Sequence, residues 1–195
     1  MKEVMAILEK EWIFMDESGG GVTFSGGEPM LQHRFLAELL TACKKRGIHT
    51  AVDTCGFAPP EVLREIAPLT DLFLYDLKMM DSEKHRFYTG VPNRVILENL
   101  KELAVQNCKV RIRIPVIPEV NATAENISET IQFLKSLKGQ IEGVDLLPFH
   151  ATAVGKYKRF EINYYMNKNL KPTASEMDLL KIQFETAGFE VKIGG

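Results

Sequence analysis

The sequence predicts an α/β fold built on a parallel sheet with helices packed outside it. Three observations point there. Short apolar runs at 21–25, 48–54, 72–78, 109–117 and 143–150 alternate with longer amphipathic segments at 1–15, 30–46, 60–67, 95–106, 124–138 and 175–187. Strands joined through helical crossovers run parallel and have both faces covered, or curl into a (β/α) barrel. Polar residues recur at the C-terminal ends of the apolar runs, the rim on which such barrels build their sites. A chain of 195 residues also suits one domain with a sizeable core.

The opening Met1-Lys2-Glu3-Val4 has mixed charge and no apolar signal core, as suits the start of a helix. The string Ser18-Gly19-Gly20-Gly21-Val22-Thr23-Phe24-Ser25-Gly26-Gly27-Glu28-Pro29 then places a short buried strand between two glycine clusters. Glycine there lets bare backbone N–H and C=O groups approach a ligand closely. Glu28 adds a carboxylate able to receive an ammonium. The next helix carries Phe35, Leu36, Leu39, Leu40 and Cys43 along one face, which makes Cys43 a small core residue. Gly47 follows Lys44, Lys45 and Arg46 as a C-cap with cations set against the helix dipole.

Parity inside the later strands separates core from site. In 72–78, Phe73, Tyr75 and Leu77 suit the helix-covered face, which leaves Asp76 and Lys78 together on the other. In 109–117, Val110, Ile112, Ile114 and Val116 form an apolar stripe, and Arg111 and Arg113 point into the lumen. Charges there need partners or a ligand. One outcome is a mutually satisfied ion network among Asp53, Asp76, Lys78 and Arg113. The other is a site, since Ser25 to Glu28, Asp53-Thr54, Asp76-x-Lys78, Arg113 and His150 all lie at strand ends. Carboxylates for an ammonium, with cations and N–H groups for a carboxylate, suit a zwitterionic cofactor. Residues 155–172 form the least regular stretch, a basic loop or lid, and 189–193 add a short last strand.

Composition excludes several classes. Lys plus Arg number 24 against 26 Asp plus Glu, so no global charge argues for nucleic acid or an anionic membrane. No apolar run reaches the roughly 18–20 residues that span a bilayer. The three cysteines, Cys43, Cys55 and Cys108, are scattered and fit a reducing cytoplasm. His33 and His49 read as surface or packing residues, and His85 as part of a solvated helix face. Met79-Met80 reads as flexible core filling beside Lys78. The rim position of Cys55 permits reactivity, yet no adjacent His or Lys signals a lowered pKa.

The glycine-flanked string closely resembles the signature of radical S-adenosylmethionine enzymes, in the branch that activates glycyl radical enzymes such as pyruvate formate-lyase. The resemblance extends to Asp53-Thr54-Cys55-Gly56-Phe57, with Cys55 where Asn is common, and to Asp71-Leu72 through Asp76-Leu77-Lys78. It continues in Val110-Arg111-Ile112-Arg113 through Pro118, in Leu146-Leu147-Pro148-Phe149-His150, and in Gly155-Lys156-Tyr157-Lys158. It implies a partial (β/α) barrel of the radical SAM type with its first strand missing, a single N-terminally truncated domain. It implies that Ser25, Gly26, Gly27, Glu28, Lys78, Arg113 and His150 bind S-adenosylmethionine. Asp53, Thr54 and Asp76 would shape a monovalent cation site near the cofactor carboxylate, a role suited to hard oxygen ligands. These residues are positioners; none is assigned a general acid or base role.

In the complete enzyme, a reduced 4Fe–4S cluster would cleave S-adenosylmethionine to a 5′-deoxyadenosyl radical. That radical would take a hydrogen atom from a backbone glycine of a partner glycyl radical enzyme, with flavodoxin or ferredoxin as electron donor. The family binds its cluster through Cys-x-x-x-Cys-x-x-Cys ahead of the glycine string, and no such spacing exists here. The expectation is therefore a chain inactive alone, with an uncovered edge at 21–25 that invites self-association. A cluster-free module binding a nucleoside or small anion, and a radical enzyme acting on a small molecule, are the other two readings.

Overall fold

The computed structural model describes residues 2–137, 139, 141–149 and 170–194. Among these residues six strands form one parallel sheet whose spatial order follows the sequence: β1 (Gly21–Phe24), β2 (His49–Thr54), β3 (Leu72–Asp76), β4 (Val110–Val116), β5 (Ile141–Pro148) and β6 (Val191–Ile193). Helices follow the strands: α3 (His33–Lys45) after β1, α4 (Pro60–Ile66) after β2, and α7 (Ala124–Ser136) after β4. Two helices, α5 (Ser82–Thr89) and α6 (Arg94–Val105), separate β3 from β4, and α8 (Ala174–Thr186) precedes β6. This is the expected partial barrel, with β1 paired only to β2 among the described residues.

The expected helix over 1–15 is two helices, α1 (Lys2–Lys10) and α2 (Trp12–Ser18), joined at Glu11. They lay Met5, Leu8, Trp12 and Met15 over Val22, Leu39, Cys43 and Ile48, a small apolar cluster on the outer face of the sheet's first strands. Cys43 is fully buried there, as its helical spacing predicts. Phe35 departs from its predicted core stripe and is 40% exposed, because it sits at the edge of the face that Leu36, Leu39 and Leu40 bury.

The parity of the middle strands holds. Phe73, Tyr75 and Leu77 are buried with Val110, Ile112, Ile114 and Val116 in the main core beneath the helices. The opposite face carries Asp53, Asp76, Arg111 and Arg113, all half-buried. Register places Asp76 beside Arg113 and Arg113 beside Asp145.

Helix α5 has no range among the predicted helices, since its polar sequence lacks an apolar stripe, although His85 was read on a helix face. Its ends make it: the Asp81 carboxylate accepts from the N–H groups of Glu83 and Lys84, and Gly90 closes it in the left-handed region. His85 was expected on a solvated face and is instead buried. Its Nδ1 lies 2.7 Å from the Val91 carbonyl and 3.0 Å from the Thr89 hydroxyl, so the returning chain folds over it.

Candidate cofactor site at the strand C-terminal rim

The rim is assembled from loops that each leave a strand in a constrained way. After β1, Gly26 and Gly27 adopt φ of 101° and 62°, left-handed backbone that any side chain would strain. This turn brings Ser25 and Glu28 to the mouth of the lumen. The Ser25 hydroxyl donates to Asp53 Oδ2 at 3.0 Å.

Glu28 ties the first two loops together. Its Oε1 accepts from the Thr54 hydroxyl at 2.7 Å and from the Met30 N–H at 3.2 Å. Its Oε2 accepts from the Cys55 N–H at 2.9 Å and the Cys55 thiol at 3.0 Å. A carboxylate offers about four acceptor positions, and these donors take them. Glu28 therefore supplies negative potential and loop geometry, and the open polar groups beside it are those of the Gly26-Gly27 backbone. Burial foremost, then the hydrogen bond to Glu28, push the Cys55 thiol up to about 11, so it stays a neutral donor.

The loop behind Cys55 rests on a buried pillar. Asn99 donates to the carbonyls of Gly56 and Ala58 at 2.9 and 2.8 Å. The Tyr75 hydroxyl donates to the Ile96 carbonyl at 2.7 Å, and its ring lies where a Cβ on Gly56 would stand. Burial holds the Tyr75 phenol well above its ordinary range.

Next to this clamp lies a quartet of charges. Arg113 Nη1 meets Asp53 Oδ1 at 2.7 Å, Arg113 Nε lies 3.8 Å from Asp76 Oδ1, and Lys78 Nζ meets Asp76 Oδ2 at 3.0 Å. The four side chains are 23–34% exposed. The network expected from sequence thus exists, but it is incomplete. Arg113 Nε is buried with no hydrogen-bond partner among the described residues. A buried guanidinium donor is costly until an acceptor meets it, and none of the described residues supplies one.

Thr54 stands apart from the proposed cation ligands. Its hydroxyl donates to Glu28 and accepts from the Gly56 N–H, whereas Asp53 and Asp76 engage Arg113 and Lys78. Among the described residues no group of three or more His, Cys, Asp or Glu could hold a metal ion. The three cysteines are on different elements, Cys43 in α3, Cys55 after β2 and Cys108 before β4, and do not fit a 4Fe–4S cluster. His150 and residues 155–158 lie outside the described residues. His33 pairs on the surface with Glu65 at 3.2 Å, His49 is exposed and Met79 is buried, as expected.

Deeper in the lumen, Arg111 Nε meets Asp145 Oδ1 at 2.8 Å and Nη2 meets Glu190 at 3.3 Å. Sequence reasoning missed Asp145, although a lone carboxylate between Val144 and Leu146 was a signal that something cationic must face it. Arg111 lies two residues before Arg113 along β4, on the same face of the sheet.

Comparison with known proteins identifies the family. Residues 4–134 match the profile of the radical SAM superfamily. The chain is 41% identical over 198 aligned positions to the trans-4-hydroxy-L-proline dehydratase activating enzyme of Clostridioides difficile, covering 100% of this chain and 65% of that protein. It is 39% identical to the choline trimethylamine-lyase activating enzyme of Oleidesulfovibrio alaskensis, over 94% of this chain and 59% of that protein. It is similar to the crystal structure of a domain of pyruvate-formate lyase-activating enzyme from Bacteroides vulgatus, with a TM-score of 0.76 and 36% identity. That match covers 90% of this chain and 99% of the domain. The chain thus spans less than two thirds of the length of these two curated relatives.

Proposed function

The chain belongs to the radical SAM superfamily, among its activating enzymes, and on that premise we propose that its rim binds S-adenosylmethionine for activation of a glycyl radical enzyme. The observation that carries the binding reading is the Nε of Arg113, buried without a hydrogen-bond partner among the described residues, beside two carboxylates and a glycine-rich backbone. The zwitterionic methionine end of the cofactor complements that set. Its carboxylate satisfies Arg113 and Lys78, and its ammonium lies against the Gly26-Gly27 backbone in the field of Glu28 and Asp53. Ser25 fixes the Asp53 carboxylate. His150 is assigned to the same cofactor by the resemblance of its segment, and Asp53, Thr54 and Asp76 to a monovalent cation near the cofactor carboxylate.

When bound, S-adenosylmethionine supplies the radical chemistry; the protein binds it, orients it and excludes competing reactions. The cluster that such chemistry requires finds no ligand set in Cys43, Cys55 and Cys108. We assign residues 1–195 to a single radical SAM domain. The proposed partners are a glycyl radical enzyme, of which pyruvate formate-lyase is one example, and a flavodoxin or ferredoxin. The setting proposed is the cytoplasm; no helix of the described residues is long and apolar enough to cross a membrane.

Calorimetric titration with S-adenosylmethionine tests the reading. The wild-type chain should bind weakly, and Arg113→Ala and Gly27→Val should each weaken binding about tenfold or more, about 1.4 kcal/mol. Tight binding that ignores both changes, or equal affinity for a free nucleoside, would move the site elsewhere and favour a nucleoside-binding module.

A further inference from the structure

The loop after β3 carries Lys78, and its backbone is held by three buried side-chain amides rather than by the sheet. The ladder between β3 and β4 ends where the Leu77 N–H donates to the Arg113 carbonyl. Beyond it, Asn121 Nδ2 donates to the Lys78 carbonyl at 2.8 Å and the Pro115 carbonyl at 2.5 Å, and its Oδ1 accepts from the Ile117 N–H at 2.8 Å. Asn93 Nδ2 donates to the carbonyls of Met79 and Met80 at 2.9 and 2.6 Å. The Met80 N–H donates to Asn126 Oδ1 at 2.8 Å, and Asn126 Nδ2 closes the chain by donating to the Asn121 carbonyl at 2.8 Å.

Asn93, Asn121 and Asn126 are 2%, 2% and 8% exposed. Burial of three amides is costly unless every one is bonded, and each is. Without them, backbone groups of residues 78–80 would be left unpaired, at about 1–3 kcal/mol for each one buried. The arrangement does more than satisfy a loop. It locks the segment after β3 to the segment after β4, the two segments that present Lys78 and follow Arg113.

We infer that Asn121, supported by Asn93 and Asn126, is a positioning residue for Lys78, holding the loop after β3 so that the Lys78 ammonium meets the Asp76–Arg113 cluster. The functional value of that placement rests on the S-adenosylmethionine reading, which it deepens; the mechanical claim does not.

Two measurements on the full 195-residue chain separate the claims. The first is the acylation rate of Lys78 relative to exposed Lys101, with amide exchange over 77–81, in Asn121→Ala and Asn93→Ala. Lys78 should acylate about threefold faster or more, and exchange should rise over 77–81 while β1 and β2 keep their protection. The second is S-adenosylmethionine affinity in Lys78→Ala, Asn121→Ala and the double variant. The double variant should bind no more weakly than Lys78→Ala, because both changes remove one contact. Unchanged Lys78 acylation in a folded variant, or additive losses in the double variant, overturns the inference. If Asn121→Ala does not fold, Asn93→Ala carries the same readouts. Altered acylation and exchange with unaltered affinity in Lys78→Ala would keep the latch and defeat the cofactor reading.

Discussion

The Cys55 thiol donates to Glu28 Oε2 across 3.0 Å, and through it the loop after β2 grips the loop after β1. The two loops meet because β1 and β2 are paired neighbours whose C-terminal ends open side by side. A thiol that serves as a donor to a carboxylate is protected from ionisation, so reactivity at this rim position is suppressed by the same bond that shapes the site.

Cys55 should therefore resist alkylation. With its thiol at about 11, it is about 1% thiolate at pH 9, where an ordinary thiol near 9.0 is about half ionised. Iodoacetamide should modify it tens of times more slowly than an unstructured cysteine peptide at that pH. Replacing Glu28 by Gln removes the repulsive charge and should speed the reaction about tenfold. Since the folded thiol holds its proton more tightly than the unfolded one, its contribution to stability is whole below pH 9 and is lost as pH rises through about 11. Mass-spectrometric rates across pH check this; equal rates in wild type and Glu28→Gln would show that the bond does not govern the thiol.

Gly56→Ala should be among the most destabilising single changes at the rim. Gly56 has φ of 72°, and an added Cβ would collide with the Tyr75 hydroxyl and ring, which the main core holds in place. Overpacking and backbone strain together should cost about 3 kcal/mol. Urea unfolding should show a lower midpoint at unchanged slope. A loss below about 0.5 kcal/mol, the size of a neutral surface change, would mean that the loop has room to move.

This 195-residue chain should not hold a 4Fe–4S cluster. Cys43 is buried under α1 and α2, and Cys55 is bonded to Glu28, so neither is presented with Cys108 to one iron site. Anaerobic reconstitution with iron and sulfide, followed by absorption and spin-resonance spectroscopy, should show no stoichiometric cluster and no 5′-deoxyadenosine. A stable cluster would require cysteine ligands to regroup and would contradict the fold described.

Strand β1 should mediate self-association of this chain. Among the described residues it pairs with β2 alone, and α1 and α2 cover the face bearing Val22 and Phe24 rather than adding a strand. An open ladder row pairs readily with another chain. Light-scattering mass should rise with concentration, and Thr23→Pro, which removes a ladder N–H at the edge, should reduce the rise. A constant monomer mass over the dilution series would show that the edge is blunted.

Much of this protein could be read from residue pattern. Period-two alternation separates Asp76, Lys78, Arg111 and Arg113 from Phe73, Tyr75, Ile112 and Ile114, because successive strand side chains face opposite ways whatever surrounds them. Glycine spacing marks the turn at Gly26-Gly27, because few other residues accept that backbone. The bounds of helix α5 and the burial of His85 escaped because the helix is held by capping and by the chain that folds over His85, and neither leaves an apolar stripe.

The finer arrangement of the rim depended on contacts between segments far apart in the chain. Glu28 and Thr54 are 26 positions apart, and Met80 and Asn126 are 46 apart. Pattern fixes which face of an element a side chain takes. It does not specify which distant donor will meet a buried acceptor, because that depends on how loops converge once the sheet is built. So the carboxylate of Glu28 was legible as a rim group, while its engagement by Thr54 and Cys55 was not. For the same reason three asparagines that look like ordinary loop and cap residues become the buried latch beneath Lys78.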